Sequence, residues 1–234
     1  HMIYVISDIH GDYPSFYKML LKINFSSSDS LCILGDVVDK GSDNLYLLEF
    51  IRHMENVCLI KGNHEYLFER YLQGTITASL WDTCGGSATR SEADRLPEEK
   101  KRELLAYLKT LPIYKIITVK GEQYFLTHSG YNVDYAVQDP ETGLIDIRKS
   151  VDQAAAADME RYLFSDDIHF IPASVRFDRK IIVGHYPVIL LPDHGTARIY
   201  HGSRYTDIDT GNERRDAGGR LSCLRLDDGR EFYV

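Results

Sequence analysis

The sequence of 234 residues is 44% hydrophobic and 26% charged, a composition typical of a globular protein that can bury a large core. Its formal net charge of −8 argues against non-specific binding to nucleic acid or to an anionic membrane surface, so we expect neither as a partner. The four cysteines form no CxxC pair, and no segment resembles a signal peptide or a membrane span. These features predict a reduced, cytoplasmic protein, and a monomer is favoured.

Strand and helix patterns alternate in the first third of the chain. Residues 2–7, 31–34 and 57–60 are apolar runs that each stop at a polar turn, which predicts three buried strands. Helical spacing of apolar residues follows each run. This repeated order predicts a parallel sheet covered by helices, with a functional site at the carboxyl ends of the strands.

The pattern changes after this region. Residues 97–110 have the spacing of a charged amphipathic helix, and we expect a helical excursion at about residues 74–112 over one rim of the site. Further strands are predicted at residues 116–119, 124–127, 181–183, 198–200 and 221–226, with one helix at 151–163. The C-terminal half therefore predicts a second, more antiparallel sheet within a single domain of residues 1–234.

Polar groups that bind metals follow the predicted strands. The motifs are Asp8-Ile9-His10-Gly11, Gly35-Asp36-Val37-Val38-Asp39, Gly62-Asn63-His64-Glu65, His128-Ser129-Gly130 and Gly184-His185. Carboxylate, imidazole and amide oxygen together suit Mn, Fe or Zn, whereas a structural zinc site would use thiolates. Because all of these groups fall at strand ends, one assembled site is expected, and a metal-dependent hydrolase is the first hypothesis.

Each motif has an ordinary structural explanation when it is taken alone. A polar turn after a strand accounts for Asp8 and His10, and Asn63 is a common turn residue. A lone histidine after an apolar strand, such as His128 or His185, is more often structural than a ligand. The complete set in this order is what favours a metal site.

The same motifs resemble those of a known family. DxHG, GDxVDxG, GNHE, HSG and GH, followed by IDTG, are similar to the motifs of the phosphoprotein phosphatase family of metallophosphoesterases. The similarity extends from Ile3 to about Gly211 and includes Leu80-Trp81 and residues 85–89, which resemble a loop of the small bacterial and phage members and of related diadenosine tetraphosphate hydrolases. It implies an α/β, calcineurin-like metallophosphoesterase fold, in which two mixed β-sheets are flanked by helices in an αββα sandwich.

The resemblance also implies roles for individual residues. Two divalent ions, with Mn²⁺ favoured and Fe or Zn as alternatives, would activate a hydroxide for direct in-line attack on phosphorus. His64 would be the proton donor, and Asp39 would orient it. The implied metal ligands are Asp8, His10 and Asp36 for one ion, and Asp36, Asn63, His128 and His185 for the other.

Two departures from the family pattern concern phosphate binding. Lys40 stands where the family usually has arginine, so it could bind the substrate phosphate but not with the bidentate geometry of a guanidinium group. The alternative is that Lys40 is a solvated lysine with no role in phosphate binding. For the second phosphate-binding residue we favour Arg161, although the tryptophan that often stands beside it in the family is missing. Arg176 is the rival, and a surface arginine remains open for either.

The sequence is compatible with three functions. A serine/threonine protein phosphatase is favoured, because Asp39 is present where some symmetrical dinucleotide hydrolases of the family have a small residue. Hydrolysis of a dinucleoside polyphosphate of the Ap4A type, or of another nucleotide, is the alternative. A catalytically silent metal-binding interaction module is the third. The substrate is accordingly expected to be a phosphoprotein or a phosphorylated small molecule.

Overall fold

Two five-stranded sheets form the centre of the structure, a computed structural model that describes residues 1–234. Their orders are β10-β9-β1-β2-β3 and β4-β5-β6-β8-β7. The strands are β1 (Ile3–Ile6), β2 (Ser30–Ile33), β3 (Val57–Leu59), β4 (Tyr114–Val119), β5 (Glu122–Thr127), β6 (Lys180–Val183), β7 (Tyr200–His201), β8 (Tyr205–Asp207), β9 (Ser222–Arg225) and β10 (Glu231–Tyr233). The predicted fold class, two mixed sheets flanked by helices, is confirmed.

Helices occupy the connections between most strands. They are α1 (Tyr13–Lys22), α2 (Asn44–Arg52), α3 (Asn63–Leu72), α4 (Ala78–Thr83), α5 (Ser87–Asp94), α6 (Glu98–Thr110), α7 (Ile147–Ala157) and α8 (Met159–Leu163), with short 3₁₀ turns elsewhere. Helix α1 begins at Tyr13, where Asp12 accepts a hydrogen bond from the backbone of Ser15 and Pro14 lies in the first turn. None of these helices has the length and apolar character that crossing a bilayer requires.

The predicted pairing of residues 221–226 was wrong. Strand β9 does not join the second sheet but pairs antiparallel with β1, with Val5 opposite Leu224, and β10 extends that edge. The second sheet is mixed, because β5, β6 and β8 run parallel while β4 and β7 are antiparallel to their neighbours. Alternating apolar residues predict that a strand exists but not which edge it joins, so this pairing was not accessible from the pattern.

The helix predicted at residues 151–163 is two helices. Asp158 separates α7 from α8 in an extended conformation, and its side chain accepts a hydrogen bond from the backbone of Arg161. The small polar segment near residue 85 is not a loop over its whole length, since α4 and α5 lie on either side of a short turn. A cap inside an apparently continuous helical pattern explains the first difference.

The core lies in three layers that follow the alternation of the strands. Val5 faces the layer between the two sheets, together with Leu34, Ile182 and Leu224. Its neighbours in β1 face the helices instead, in a larger cluster that includes Phe16. Each such aliphatic side chain contributes about 1.5–3 kcal/mol when fully buried, so the register of β1 is strongly specified. The carboxyl ends of β1, β2 and β3 consequently meet at one edge of their sheet.

Candidate metal centre

The loops after β1 and β2 are joined through their backbones. The N–H of Asp8 donates to the carbonyl of Gly35 at 3.1 Å, and the N–H of His10 donates to the carbonyl of Asp36 at 3.0 Å. Gly11 continues the ladder by donating to Val37 at 2.7 Å. Two motifs that are far apart in sequence are therefore held as one rigid surface.

Backbone strain concentrates at these motifs. Nine non-glycine residues have positive φ, and six of them carry or adjoin candidate site groups: Asp8, His10, Asp36, Asp39, Lys40 and His185. Such conformations cost of order 1–3 kcal/mol each and persist only where the surrounding structure imposes them. The strain indicates that the backbone conformation of these residues serves to orient their side chains at the cost of local stability.

Glu65 holds the loop after β2 against the start of α3. Its Oε1 accepts hydrogen bonds from the N–H groups of Asp36 at 2.6 Å and Gly62 at 3.0 Å, and its Oε2 accepts from Val37 at 2.9 Å. Gly35 lies close by with φ of 88°, and a Cβ there would come within 2.6 Å of the Gly62 backbone. Glu65 belongs to the Gly62-Asn63-His64-Glu65 motif, but the sequence pattern does not predict this role for it.

Four acceptor atoms converge between α3 and the loops after β5 and β6. His128 Nε2 lies 2.8 Å from Asn63 Oδ1 and 3.3 Å from Asp36 Oδ2, and His185 Nδ1 lies 3.2 Å from the same Asn63 oxygen. The other nitrogen of each imidazole is already committed, His128 Nδ1 to the carbonyl of Leu34 and His185 Nε2 to Asp166 at 3.0 Å. The facing nitrogens therefore carry lone pairs in the neutral histidines.

This convergence fits a cation. Turning the Asn63 amide over would place its NH₂ against four acceptor atoms, which are His128 Nε2, His185 Nδ1 and both carboxylate oxygens of Asp36, but one amide group has only two hydrogens to share among them. A divalent ion can accept all of the lone pairs at once, and oxygen together with imidazole nitrogen is a donor set that Mn, Fe and Zn accept. The residues present thus fit a metal ion at this position.

A second group of acceptors surrounds His10. Its Nδ1 lies 3.0 Å from the carbonyl of Val38, to which it donates, so its Nε2 carries the lone pair. That nitrogen lies 3.8 Å from Asp8 Oδ2 and 3.7 Å from both Asp36 Oδ2 and Glu213 Oε2. Asp36 is therefore common to both groups, which is the arrangement that two neighbouring ions sharing one carboxylate require.

The charges of the centre also call for cations. Burial, with the charges of Asp209 and Asp36, raises the pKa of Asp8 well above its usual value. Burial acts in the same direction on Asp36, but the charges of His128 and His64 prevail and lower the pKa of that carboxyl well below its usual value. Buried carboxylates at this spacing are costly to ionise unless positive charge is supplied among them.

His64 lies at the rim of both groups and is tied to the helices inserted between β3 and β4. Its Nδ1 lies 2.7 Å from Asp39 Oδ2, and the indole of Trp81 in α4 donates to the same oxygen at 2.7 Å. Burial lowers the pKa of His64, but the charge of Asp36 and the hydrogen bond with Asp39 outweigh it and raise the pKa to about 9. The sequence pattern does not predict this role for Trp81, although Leu80-Trp81 belongs to the segment that resembles a loop of the family.

The three candidate phosphate-binding residues lie at different positions relative to the two acceptor groups. Lys40 borders a cavity of about 320 Å³ beside His10 and forms an ion pair with Glu213. Arg161 is half exposed on α8 and forms an ion pair with Asp134 rather than contacting the cluster. Arg176 lines a groove of about 930 Å³ with residues that begin β5, β6 and β8, so it lies at the opposite strand ends from the acceptor groups. The structure therefore does not bring Arg176 to this site.

The chain is similar in sequence to known proteins. A calcineurin-like phosphoesterase family model matches residues 1–216. A serine/threonine-protein phosphatase 2 from Salmonella typhimurium is 29% identical over 140 residues, covering 58% of this chain and 63% of that protein. A symmetrical bis(5'-nucleosyl)-tetraphosphatase from Erwinia tasmaniensis is 27% identical over 166 residues, covering 70% of this chain and 52% of that protein.

Solved structures share the fold of this chain. A solved structure of a candidate diadenosine tetraphosphatase superposes with a TM-score of 0.61 at 17% identity, covering 100% of this chain and 92% of that one. The chain spans about half the length of most of the curated relatives it matches. The match over residues 1–216 shows that the chain belongs to the calcineurin-like phosphoesterase family, the metallophosphoesterases, which use a dinuclear divalent metal centre.

Proposed function

We propose that the chain is a phosphoprotein phosphatase that hydrolyses phosphoserine and phosphothreonine. The observation that carries this proposal is the buried Asp39–His64 pair, which stands beside two groups of lone-pair acceptors that share Asp36. A metal-activated attack on phosphorus needs a proton donor on the leaving-group side, and this pair is suited to that task. We further propose that residues 1–234 act as one domain, with the helical excursion at about residues 74–112 forming one rim.

The proposed metal ligands are the residues that converge in the two groups. When bound, two divalent ions would make water nucleophilic at neutral pH and neutralise the charge that develops on the phosphoryl oxygens. Mn²⁺ is favoured, because the set is rich in hard oxygen donors, and Fe or Zn are the alternatives. Asp8, His10 and Asp36 would hold one ion, and Asp36, Asn63, His128 and His185 the other.

His64 is the proposed general acid. Its Nε2 lies 4.0 Å from Asp36 Oδ2, so the ring edge that can release a proton faces the proposed centre. Asp39 accepts from Nδ1, which fixes the ring orientation and favours the protonated form. The serine or threonine alkoxide that leaves phosphorus would take the Nε2 proton.

Substrate phosphate is proposed to contact Lys40 and Arg161. Lys40 is paired with Glu213, and Arg161 is paired with Asp134. A phosphate oxygen would therefore have to bind each cation alongside its carboxylate partner or displace that partner. Arg161 is half exposed and its ion pair is screened by solvent, which makes exchange inexpensive.

Hydrolysis of a dinucleoside polyphosphate is the second candidate. It is supported by the names of several relatives, among them symmetrical bis(5'-nucleosyl)-tetraphosphatases of Nitrosospira multiformis and Klebsiella pneumoniae. The metal ligands and the attack would be the same, and the leaving group would be a nucleotide.

A substrate panel with defined metals tests both candidates. The protein is loaded with Mn²⁺, Fe²⁺ or Zn²⁺, and kcat/KM is compared for phosphate released from a phosphoserine peptide and for ADP released from Ap4A. We expect the peptide to be preferred. A preference for Ap4A would replace the first candidate by the second, and background rates for both with two ions bound would leave a silent metal-binding module.

A further inference from the structure

Glu213 reaches the proposed centre from a segment that the metal motifs do not include. It lies in a 3₁₀ turn, Asn212–Ala217, directly after Gly211. The Asn212 side chain fastens this turn to the loop after β1 by donating to the carbonyl of Ile9 at 3.0 Å and to Asp12 Oδ2 at 3.2 Å. The Glu213 side chain is only 11% exposed, whereas the three residues that follow it are exposed.

The Glu213 carboxylate faces the Nε2 atom of the buried His10 ring. His10 Nε2 lies 3.7 Å from Glu213 Oε2, and the His10 side chain is 3% exposed. Because His10 Nδ1 donates to Val38, Nε2 offers a lone pair toward three carboxylates, those of Asp8, Asp36 and Glu213. Each of these oxygens lies 3.7–3.8 Å from Nε2, beyond hydrogen-bond distance.

Lys40 and His10 face the same oxygen of Glu213. The Lys40 ammonium, on a side chain that is 38% exposed, forms an ion pair with Oε2, and His10 Nε2 lies 3.7 Å from that atom. A third carboxylate beside Asp8 and Asp36 adds repulsion that a cation would remove. A carboxylate has two oxygens and can hold an ammonium and a metal ion at the same time.

We propose that Glu213 is an additional protein ligand of the divalent ion that Asp8, His10 and Asp36 would hold, and that Lys40 positions its carboxylate. The inference rests on the proposed metal centre. It makes this half of the centre a site of three carboxylates and one imidazole, which favours a hard ion such as Mn²⁺.

Mn²⁺ titration of the metal-free full chain tests this assignment by calorimetry and by the EPR signal of bound Mn²⁺, without any substrate. Removal of residues that only orient a ligand costs 10–100-fold in metal affinity, so Glu213→Gln should weaken one of the two Mn²⁺ sites at least tenfold. Glu213→Asp keeps the charge but shortens the reach, and it should weaken the same site. Asp216→Asn removes one charge from an exposed position of the same turn and should leave both affinities unchanged.

The outcomes separate the possible failures. Wild-type affinity at both sites in Glu213→Gln overturns the role of Glu213 and leaves the rest of the centre intact. Full Mn²⁺ affinity in Glu213→Asp with a loss in Glu213→Gln also overturns the role of Glu213 as a ligand. The negative charge alone, and not contact with the ion, would then explain the effect on affinity. A wild-type protein that binds no pair of Mn²⁺ ions overturns the proposed centre itself, and Glu213 with it. Circular dichroism melts establish that each variant is folded.

Discussion

The Nδ1 atom of His64 lies 2.7 Å from Oδ2 of Asp39, and both side chains are buried. The Asp39 backbone N–H also donates to Thr89 Oγ1 in α5 at 3.1 Å, and Trp81 in α4 donates to the Asp39 carboxylate. The helices inserted between β3 and β4 therefore position Asp39, and Asp39 in turn positions His64. The expected rim of the site is part of its hydrogen-bond network.

His64→Asn should retain both metal ions and lose turnover. Asparagine keeps a polar side chain of similar reach but cannot donate an acidic proton, so we expect kcat to fall by roughly 10²–10⁴-fold, the usual contribution of a general acid. Kinetics with a phosphopeptide and elemental analysis of the same preparation measure the two quantities. Because His64 lies with His10 and Asp36 in a potential ligand group, loss of one metal equivalent would identify it as a ligand instead.

Asp39→Asn should shift the pH dependence of turnover. Burial lowers the pKa of His64, while Asp36 and Asp39 together raise it to about 9, and bound cations near Asp36 would bring that value down. A general acid works only while it is protonated, so activity falls as pH rises through its pKa. Loss of the Asp39 charge lowers that pKa, and the alkaline limb of the pH–rate profile should therefore move to lower pH.

Trp81→Phe should shift the alkaline limb of the pH–rate profile in the direction opposite to Asp39→Asn, and it therefore serves as a control. Phenylalanine can keep the stacking with Phe68, whose ring centroid lies 5.1 Å from the indole, but it withdraws the hydrogen bond to Asp39. The carboxylate then becomes more basic and holds the His64 proton more firmly, so the alkaline limb should move to higher pH. Identical profiles in all three proteins would mean that a group other than His64 titrates.

The parts of the fold that follow from local pattern were accessible from the sequence. Strands β1, β2 and β3 with their helices were predicted because an apolar run bounded by a polar turn is a local signal, and their carboxyl ends meet by topology alone. The pairing of β9 with β1 joins segments about 220 residues apart, and no pattern within either segment specifies it.

The same distinction applies to the site. The motif residues were found because each stands directly after a strand, where its position can be inferred. Asp166 and Glu213 lie in irregular segments whose path depends on packing, and an acidic residue there is indistinguishable from a surface one. Glu65 was visible in its motif, but its four backbone partners become apparent only when the loop after β2 folds over α3.

Asp36→Asn should reduce the occupancy of both metal ions together. Asp36 Oδ2 lies 3.7 Å from His10 Nε2 and 3.3 Å from His128 Nε2, so it belongs to both acceptor groups. An amide carries no charge and offers one oxygen, which removes the shared ligand that two cations need. Elemental analysis after equilibration with Mn²⁺ is the measurement, and full loading of either position would contradict the bridging role.

Asp166→Ala should weaken the ion that His185 would hold. The carboxylate accepts from His185 Nε2 at 3.0 Å and so leaves Nδ1 free to face Asn63. Loss of such an orienting partner typically costs 10–100-fold in metal affinity, and calorimetric Mn²⁺ titration should detect a change of that size at one site. Asp166→Asn retains an acceptor oxygen and should lose less, whereas equal affinity in all three proteins would show that the ring is oriented by other contacts.

Glu65→Gln should destabilise the fold without removing any proposed ligand. The buried carboxylate accepts four backbone hydrogen bonds, and the amide that replaces one oxygen would oppose an N–H donor with a second donor. An unsatisfied buried donor costs about 1–3 kcal/mol, more where a charge-assisted bond is lost, so the free energy of unfolding should fall by about 3 kcal/mol or more. Urea denaturation measures this, with Glu99→Gln on the exposed face of α6 as the matched control, for which a change within about 0.5 kcal/mol is expected. Equal stability of the two variants would mean that the loop after β2 holds its strained conformation without Glu65.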